Sequence, residues 1–135
     1  MIRAINVIEP KGKFWLEYGD HLAMSDYRLQ LLESIDETGS LAEAAQRMKL
    51  SYRRAWGKVR DLEKNLDMKL VESFTGGAGG GGSRLTPEGQ DMIQRYKEFT
   101  RQSHRAIEEI FETIFLSASD SLSLREFGSN KDSLL

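Results

Sequence analysis

The stretch Ser40–Leu66, SLAEAAQRMKLSYRRAWGKVRDLEKNL, decides how the rest of the chain is read. Ser40 can accept a hydrogen bond from an orphan amide at a helix start, and Glu43 stands at the capping-box distance from it. Leu41, Ala44, Ala45 and Met48 recur at helical spacing, so a short helix runs to Lys49. Leu50-Ser51 breaks it, and Ser51 caps the next helix. That helix carries Ala55, Val59, Leu62 and Leu66 on one side, with Arg53, Arg54, Lys58 and Asp61 largely on the other. Two short helices joined by a tight turn, the second strongly basic, match a helix-turn-helix.

Upstream, Leu29, Leu32 and Ile35, with Leu31 beside them, predict a helix over 26–37, capped by Ser25 or Asp26 and stopped by Gly39. Before it, Ile5 and Val7, then Phe14, Leu16 and Tyr18, alternate as half-buried strands do, and Gly19-Asp20 supplies a turn toward Leu22 and Met24. A small β-hairpin is expected there.

Downstream, Leu70, Val71 and Phe74 predict a strand, and Arg84-Leu85-Thr86 a second one. Between them lies a loop holding six of the chain's twelve glycines. This is a wing with a flexible tip. Thr86 caps and Pro87 opens a last helix from 87 to 116, roughly 45 Å long at about 1.5 Å per residue. Along it Ile93, Tyr96, Thr100, Ser103, Ile107, Ile110 and Ile114 keep heptad spacing, the seam of a helix pair. Ile93, Tyr96, Ile107, Ile110 and Ile114 are the expected dimer contacts, and the polar residues between them weaken the middle of the seam. Residues 117–135 are serine-rich and are expected to be mobile or loosely docked. The fold class is therefore mainly α, with a small β wing and an N-terminal β-hairpin, in one domain over 1–116 followed by a tail.

The 135 residues carry a net charge of only −2. The distribution is uneven: residues 40–60 hold Arg47, Lys49, Arg53, Arg54, Lys58 and Arg60 against Glu43 alone, a local +5 on a chain that is otherwise −7. A compact basic island of this kind suits an anion-binding face. Cysteine is absent, which excludes disulfides, thiolate catalysis and Cys-ligated zinc. No apolar stretch approaches the roughly 18 residues of a membrane span, and the N-terminus lacks a signal peptide's apolar region, so a cytoplasmic chain is expected.

The glycine tract fails as a nucleotide-binding loop, because Gly82 stands where the lysine before Ser83 would be and the tract lies in a hairpin. Its bare amides could instead approach a phosphodiester backbone, with Ser83 and Arg84 on the return strand. His104, Glu108 and Glu112 share a helix face, most simply a solvated one. No catalytic constellation, metal site or cofactor is expected. Ser51, Tyr52, Arg53, Arg54 and Lys58 stand where a recognition helix meets base edges and phosphates. Trp56 reads as a partly buried wedge more than a stacking platform. Gly57, inside the helix, fits either close approach to DNA or packing against the N-terminal hairpin.

The run from Ser40 to Leu66 resembles the winged helix-turn-helix of LysR-type regulators, which share the S-L-x-x-A-A-x-x-L-x-x-S opening. SYRRAW at 51–56 with LVESFTGGAGGGGSRLTPEG at 70–89 is similar, more specifically, to the N-terminal DNA-binding domain of the molybdate-responsive ModE regulators. The resemblance covers residues 14–100. It implies a homodimer whose helix-turn-helix enters the major groove of a palindromic operator in double-stranded DNA. Ser51, Tyr52, Arg53, Arg54 and Lys58 would be the groove-facing set, and Ser40, Ser83 and Arg84 phosphate contacts. Molybdate binding is not expected, because the oxyanion modules of that family need a longer strand-rich segment than follows Leu116.

Two functional classes remain at this point. One is a homodimeric sequence-specific transcription regulator. The other is a protein-interaction module that docks a partner through its long helix. The concentration of charge at 40–60 favours the first.

Overall fold

The computed structural model describes residues 8–76 and 80–116. Phe14–Phe99 makes one unit, and the described parts of Met1–Lys13 and Thr100–Leu135 make another. The element order is β1 (Leu16–Tyr18), β2 (His21–Met24), α1 (Asp26–Thr38), α2 (Leu41–Arg47), α3 (Tyr52–Leu66), β3 (Val71–Phe74), β4 (Gly82–Leu85) and α4 (Pro87–Phe115). Ile5, Val7, the loop residues 77–79 and the expected tail over 117–135 lie outside the described residues.

Each helix start uses a hydroxyl. Ser25 Oγ accepts from the Arg28 amide at 3.2 Å, which assigns the first cap to Ser25, with Asp26 as an acid in the first turn. Ser40 Oγ accepts from the Glu43 amide at 3.1 Å and Ser51 Oγ from Arg54 at 3.1 Å. The capping box at Ser40 is half formed: the Ser40 amide donates to Thr38 Oγ1 at 3.3 Å, a partner two residues back. Helix α2 stops at Arg47, two residues short of the expected end, because Met48 caps it and Lys49 turns into the left-handed region at φ 58°.

The core of the first unit joins Leu31, Leu32 and Ile35 of α1, Leu41, Ala44 and Ala45 of α2, and Ala55, Val59 and Leu62 of α3. Alanines on the facing sides let the helices pack closely, and each buried leucine or isoleucine contributes about 1.5–3 kcal/mol. Met24 at the end of β2 is fully buried in the same core, and Asn65 Nδ2 donates to the Leu22 carbonyl at 2.8 Å, tying the hairpin to α3. In that hairpin Tyr18 pairs with His21 around the expected turn, and the register shifts between Leu16 and Glu17. Tyr18 itself is exposed, so the alternation expected through Phe14, Leu16 and Tyr18 does not bury its third residue. In a hairpin this short the last residue before the turn has no neighbouring layer to cover it.

The wing pairs Val71 with Leu85, Glu72 with Arg84, Ser73 with Ser83 and Phe74 with Gly82. The Ser83 amide donates to the Gly39 carbonyl at 2.9 Å, fastening β4 to the turn between α1 and α2. Glycine is needed at the contact: a Cβ on Gly82 would sit 2.4 Å from that same carbonyl oxygen. Thr86 caps α4 as expected, its Oγ1 accepting from the Gly89 amide at 3.0 Å while donating to the Lys69 carbonyl at 2.6 Å. A Cβ on Gly89 would lie 2.3 Å from the Leu70 carbonyl oxygen, so α4 can start this close to the wing only with glycine there.

The seam expected along α4 requires a correction. Ile93 and Tyr96 are buried inside the first unit, Tyr96 to 1% exposure. The Tyr96 hydroxyl donates to the Phe14 carbonyl oxygen at 2.9 Å and lies 3.1 Å from Asp26 Oδ1. Heptad spacing identifies a face that is buried, and here the first two positions are buried by the chain's own core. In the second unit Ile107 is half-buried, while Ile110 and Ile114 are each 57% exposed. Phe111 stacks on Phe115 at 4.9 Å between ring centroids, and Arg105 pairs with Glu109 at 3.3 Å. No helix among the described residues is long and apolar enough to cross a membrane.

Candidate nucleic-acid interface

Helix α3 points Ala55, Val59 and Leu62 into the core and is held there at both ends. Ser51 caps its start, and Asp67, in the left-handed region at φ 51°, ends it. At about 100° per residue, Arg53, Gly57 and Lys64 fall opposite the buried stripe, with Arg60 and Arg54 flanking them. Ser51, Tyr52, Arg53, Arg54, Gly57 and Arg60 are exposed and Lys58 is half-buried. Ser51, Tyr52 and Arg53 thus sit at the start of α3, while Arg54 and Lys58, one turn apart, lie along its flank. Arg60 stacks over Trp56, 5.6 Å from guanidinium carbon to ring centroid, and Trp56 is partly buried against the core, which fits the wedge reading.

The charges differ in how far they are already neutralised. Arg47 of α2 pairs with Glu37 of α1, and Arg84 pairs across the wing with Glu72 at 3.0 Å while lying 5.1 Å from the Phe74 ring centroid. Arg53, Arg54 and Arg60 have no ion pair among the described residues. The positive field is therefore concentrated on α3, more narrowly than the charge count over 40–60 indicates. Burial, and then the nearby Arg28 and Arg54, hold the Lys58 ammonium below its ordinary range, with Asp61 pulling the other way.

The expected phosphate contacts separate. Arg84 is exposed on β4, and Ser40 is half-buried at the start of α2, with its hydroxyl engaged as a cap. Ser83 does not join them: it is buried to 8% exposure in the strand that Gly39 fastens. Gly57 has nothing within 4 Å of a built Cβ, so packing against the N-terminal hairpin does not account for it.

Sequence reasoning missed Glu63. Its carboxylate accepts from the Leu70 and Val71 amides and fixes the wing relative to α3, and its place on the polar side of the helical pattern gives no sign of this. It also missed Arg28 and Tyr27, which stand beside Lys58 but precede the basic island by more than a dozen residues. No group of three or more His, Cys, Asp or Glu side chains that could hold a metal occurs among the described residues, and His104, Glu108 and Glu112 do not form one.

Residues 27–90 match the family described as "Bacterial regulatory helix-turn-helix protein, lysR family". This segment is a lysR-family helix-turn-helix domain, ModE-like in sequence. It is similar to the "Transcriptional regulator ModE" of Yersinia pestis, 42% identical over 69 residues, covering 51% of this chain and 26% of that protein. It is also similar to the "DNA-binding transcriptional dual regulator ModE" of Escherichia coli K12, 36% identical over 81 residues, covering 60% of this chain and 31% of that one. The chain spans about a third or less of the length of these relatives. Among solved structures, a CbnR DNA-binding domain in complex with DNA is similar at 21% identity and a TM-score of 0.49, covering 67% of this chain and 99% of that one.

Proposed function

We propose that this chain is a sequence-specific DNA-binding transcription regulator that works as a homodimer. The observation that carries the reading is the set of cations without ion pairs among the described residues, Arg53 and Arg60 on the outward side of α3 and Arg54 on its flank, α3 being the second helix of the lysR-family helix-turn-helix. Such a face neutralises phosphates and presents guanidinium forks to guanine O6 and N7. The ModE relatives are described as transcriptional regulators, one of them as DNA-binding, which supports the same reading.

In this account α3 enters the major groove with Ser51, Tyr52 and Arg53 toward the base edges and with Arg54 and Lys58 along the border of the groove. Ser40 and Arg84 take phosphates on either side, Arg84 exchanging Glu72 for the backbone. Ile107, Ile110 and Ile114 pair α4 with the same helix of a second copy, setting two recognition helices one DNA turn or a multiple of it apart. A cytoplasmic location goes with this reading, and molybdate is expected to leave the affinity for DNA unchanged. The test is equilibrium binding to genomic fragments selected by the protein, compared with mixed-sequence duplex, over a range of salt. Binding to selected fragments that is tighter than to mixed sequence and weakens with salt supports the reading. Capture of a protein partner through Ile110 and Ile114 with no duplex binding would favour the interaction module instead.

A further inference from the structure

The sequence locates positive charge in one island, but the fold brings a cation from outside it to the side of α3. Arg28, in the first turns of α1, lies with its guanidinium carbon 5.8 Å from the Tyr27 ring centroid. Lys58 of α3 places its ammonium 5.4 Å from the same ring. Arg54 stands one helical turn before Lys58 on α3, close enough to act on its charge. Two cations from two elements therefore meet at one aromatic side chain, with Arg54 beside the second of them, and Asp61 is the acid that acts on Lys58 there.

Like charges gathered at a surface repel one another, and the Tyr27 π face offsets only part of that. Burial first, and then Arg28 and Arg54, disfavour the charged form of Lys58. The Nε of Arg28 is buried and has no hydrogen-bond partner. A guanidinium next to two more cations is suited to an anion with several acceptor oxygens, which a planar fork and an ammonium can share. Arg54 and Lys58 lie on the flank of α3, turned away from the line through Arg53 and Gly57, so a ligand there would lie beside the recognition face.

We propose that Arg28 of α1, together with Arg54 and Lys58 of α3, binds a phosphate of the DNA backbone bordering the groove that α3 enters. The site rests on the DNA-binding reading above and extends it to α1. A phosphate contact positions the protein without reading sequence, so its loss weakens all duplexes alike.

The experiment compares wild type with Arg28→Gln on a mixed-sequence duplex and on a selected fragment across a salt series. The slope of log affinity against log salt should become shallower by about 0.9 in the variant. Equivalently, the advantage of wild type over the variant should shrink about 3.5-fold between about 50 and 200 mM salt, to the same extent on both duplexes. Arg28→Met keeps the buried stem and should behave alike, which covers the case of a Gln variant that does not fold. An unchanged slope in the folded variant, or a loss confined to the selected fragment, would overturn the site while leaving the DNA-binding reading standing. Inorganic phosphate titrated into the free protein should give no saturable shift of the Arg28 and Lys58 resonances. A saturable site for the free ion would overturn the backbone assignment. Wild type that binds no duplex in a salt-dependent way would overturn the DNA-binding reading and this site with it.

Discussion

The carboxylate of Glu63, in the last turns of α3, accepts the amide hydrogen of Leu70 at 2.8 Å and of Val71 at 3.1 Å. One side chain thus fixes the angle at which the wing leaves α3. The Glu63 side chain is nearly buried, with Lys69 Nζ 3.9 Å away. Glu63→Ala leaves two amides without partners and should lower stability by about 1–3 kcal/mol, read as a lower denaturation midpoint with an unchanged slope. A variant as stable as wild type would show that water replaces the carboxylate freely.

Tyr96 gives a prediction in pH. Burial first, and then its hydrogen bond to Asp26 and the charge there, raise the phenol from 10.0 to about 12. Between those values the unfolded chain has lost the proton and the native chain keeps it, so stability is complete below pH 10 and falls as pH rises toward 12. Tyr96→Phe removes that contribution. Its stability should fall less steeply than that of wild type across this window in urea unfolding at fixed temperature. Parallel curves would contradict the buried placement.

Gly57 separates stability from function. Its built Cβ meets nothing and it lies inside a helix, so Gly57→Ala should raise stability by about 1 kcal/mol. If α3 approaches DNA closely at this point, the same variant should bind duplex more weakly while melting higher. A variant improved in both respects would exclude close approach there.

For the dimer, Ile107→Asp with Ile114→Asp puts one carboxylate at a half-buried and one at an exposed position of α4, outside the core around Tyr96. Sedimentation should show monomers at micromolar concentration where wild type is dimeric, with the melting transition of the first unit retained. A monomeric wild type at that concentration would contradict the pairing.

Local chemistry was legible in the residues and tertiary partners were not. Ser25, Ser40, Ser51 and Thr86 are caps because a hydroxyl at a helix start has few better uses, and the stripe Ala55, Val59, Leu62 follows the helical period into the core. The run from Leu85 to Gly89 has a structural reason: Leu85 is core, Thr86 caps α4, and Gly89 clears the Leu70 carbonyl. Periodicity could not say what covers a face, so Ile93 and Tyr96 read as dimer contacts although Leu31, Leu32 and the residues around them form one core with them. Nor could a charge count over a window see that Glu37 and Glu72 pair with Arg47 and Arg84, or that Arg28 stands beside Lys58.

The account depends most on the outward face of α3, and Arg53→Ala with Arg54→Ala tests it directly. Both side chains are exposed and clear of the core, so the circular dichroism spectrum and melting temperature should stay close to wild type. Arg53→Ala removes a base contact worth about 1–3 kcal/mol and Arg54→Ala a backbone contact, so affinity for a selected fragment should drop to that of the same variant for mixed-sequence duplex. Undiminished affinity for the selected fragment in the folded double variant would contradict the assignment of α3 as the recognition helix.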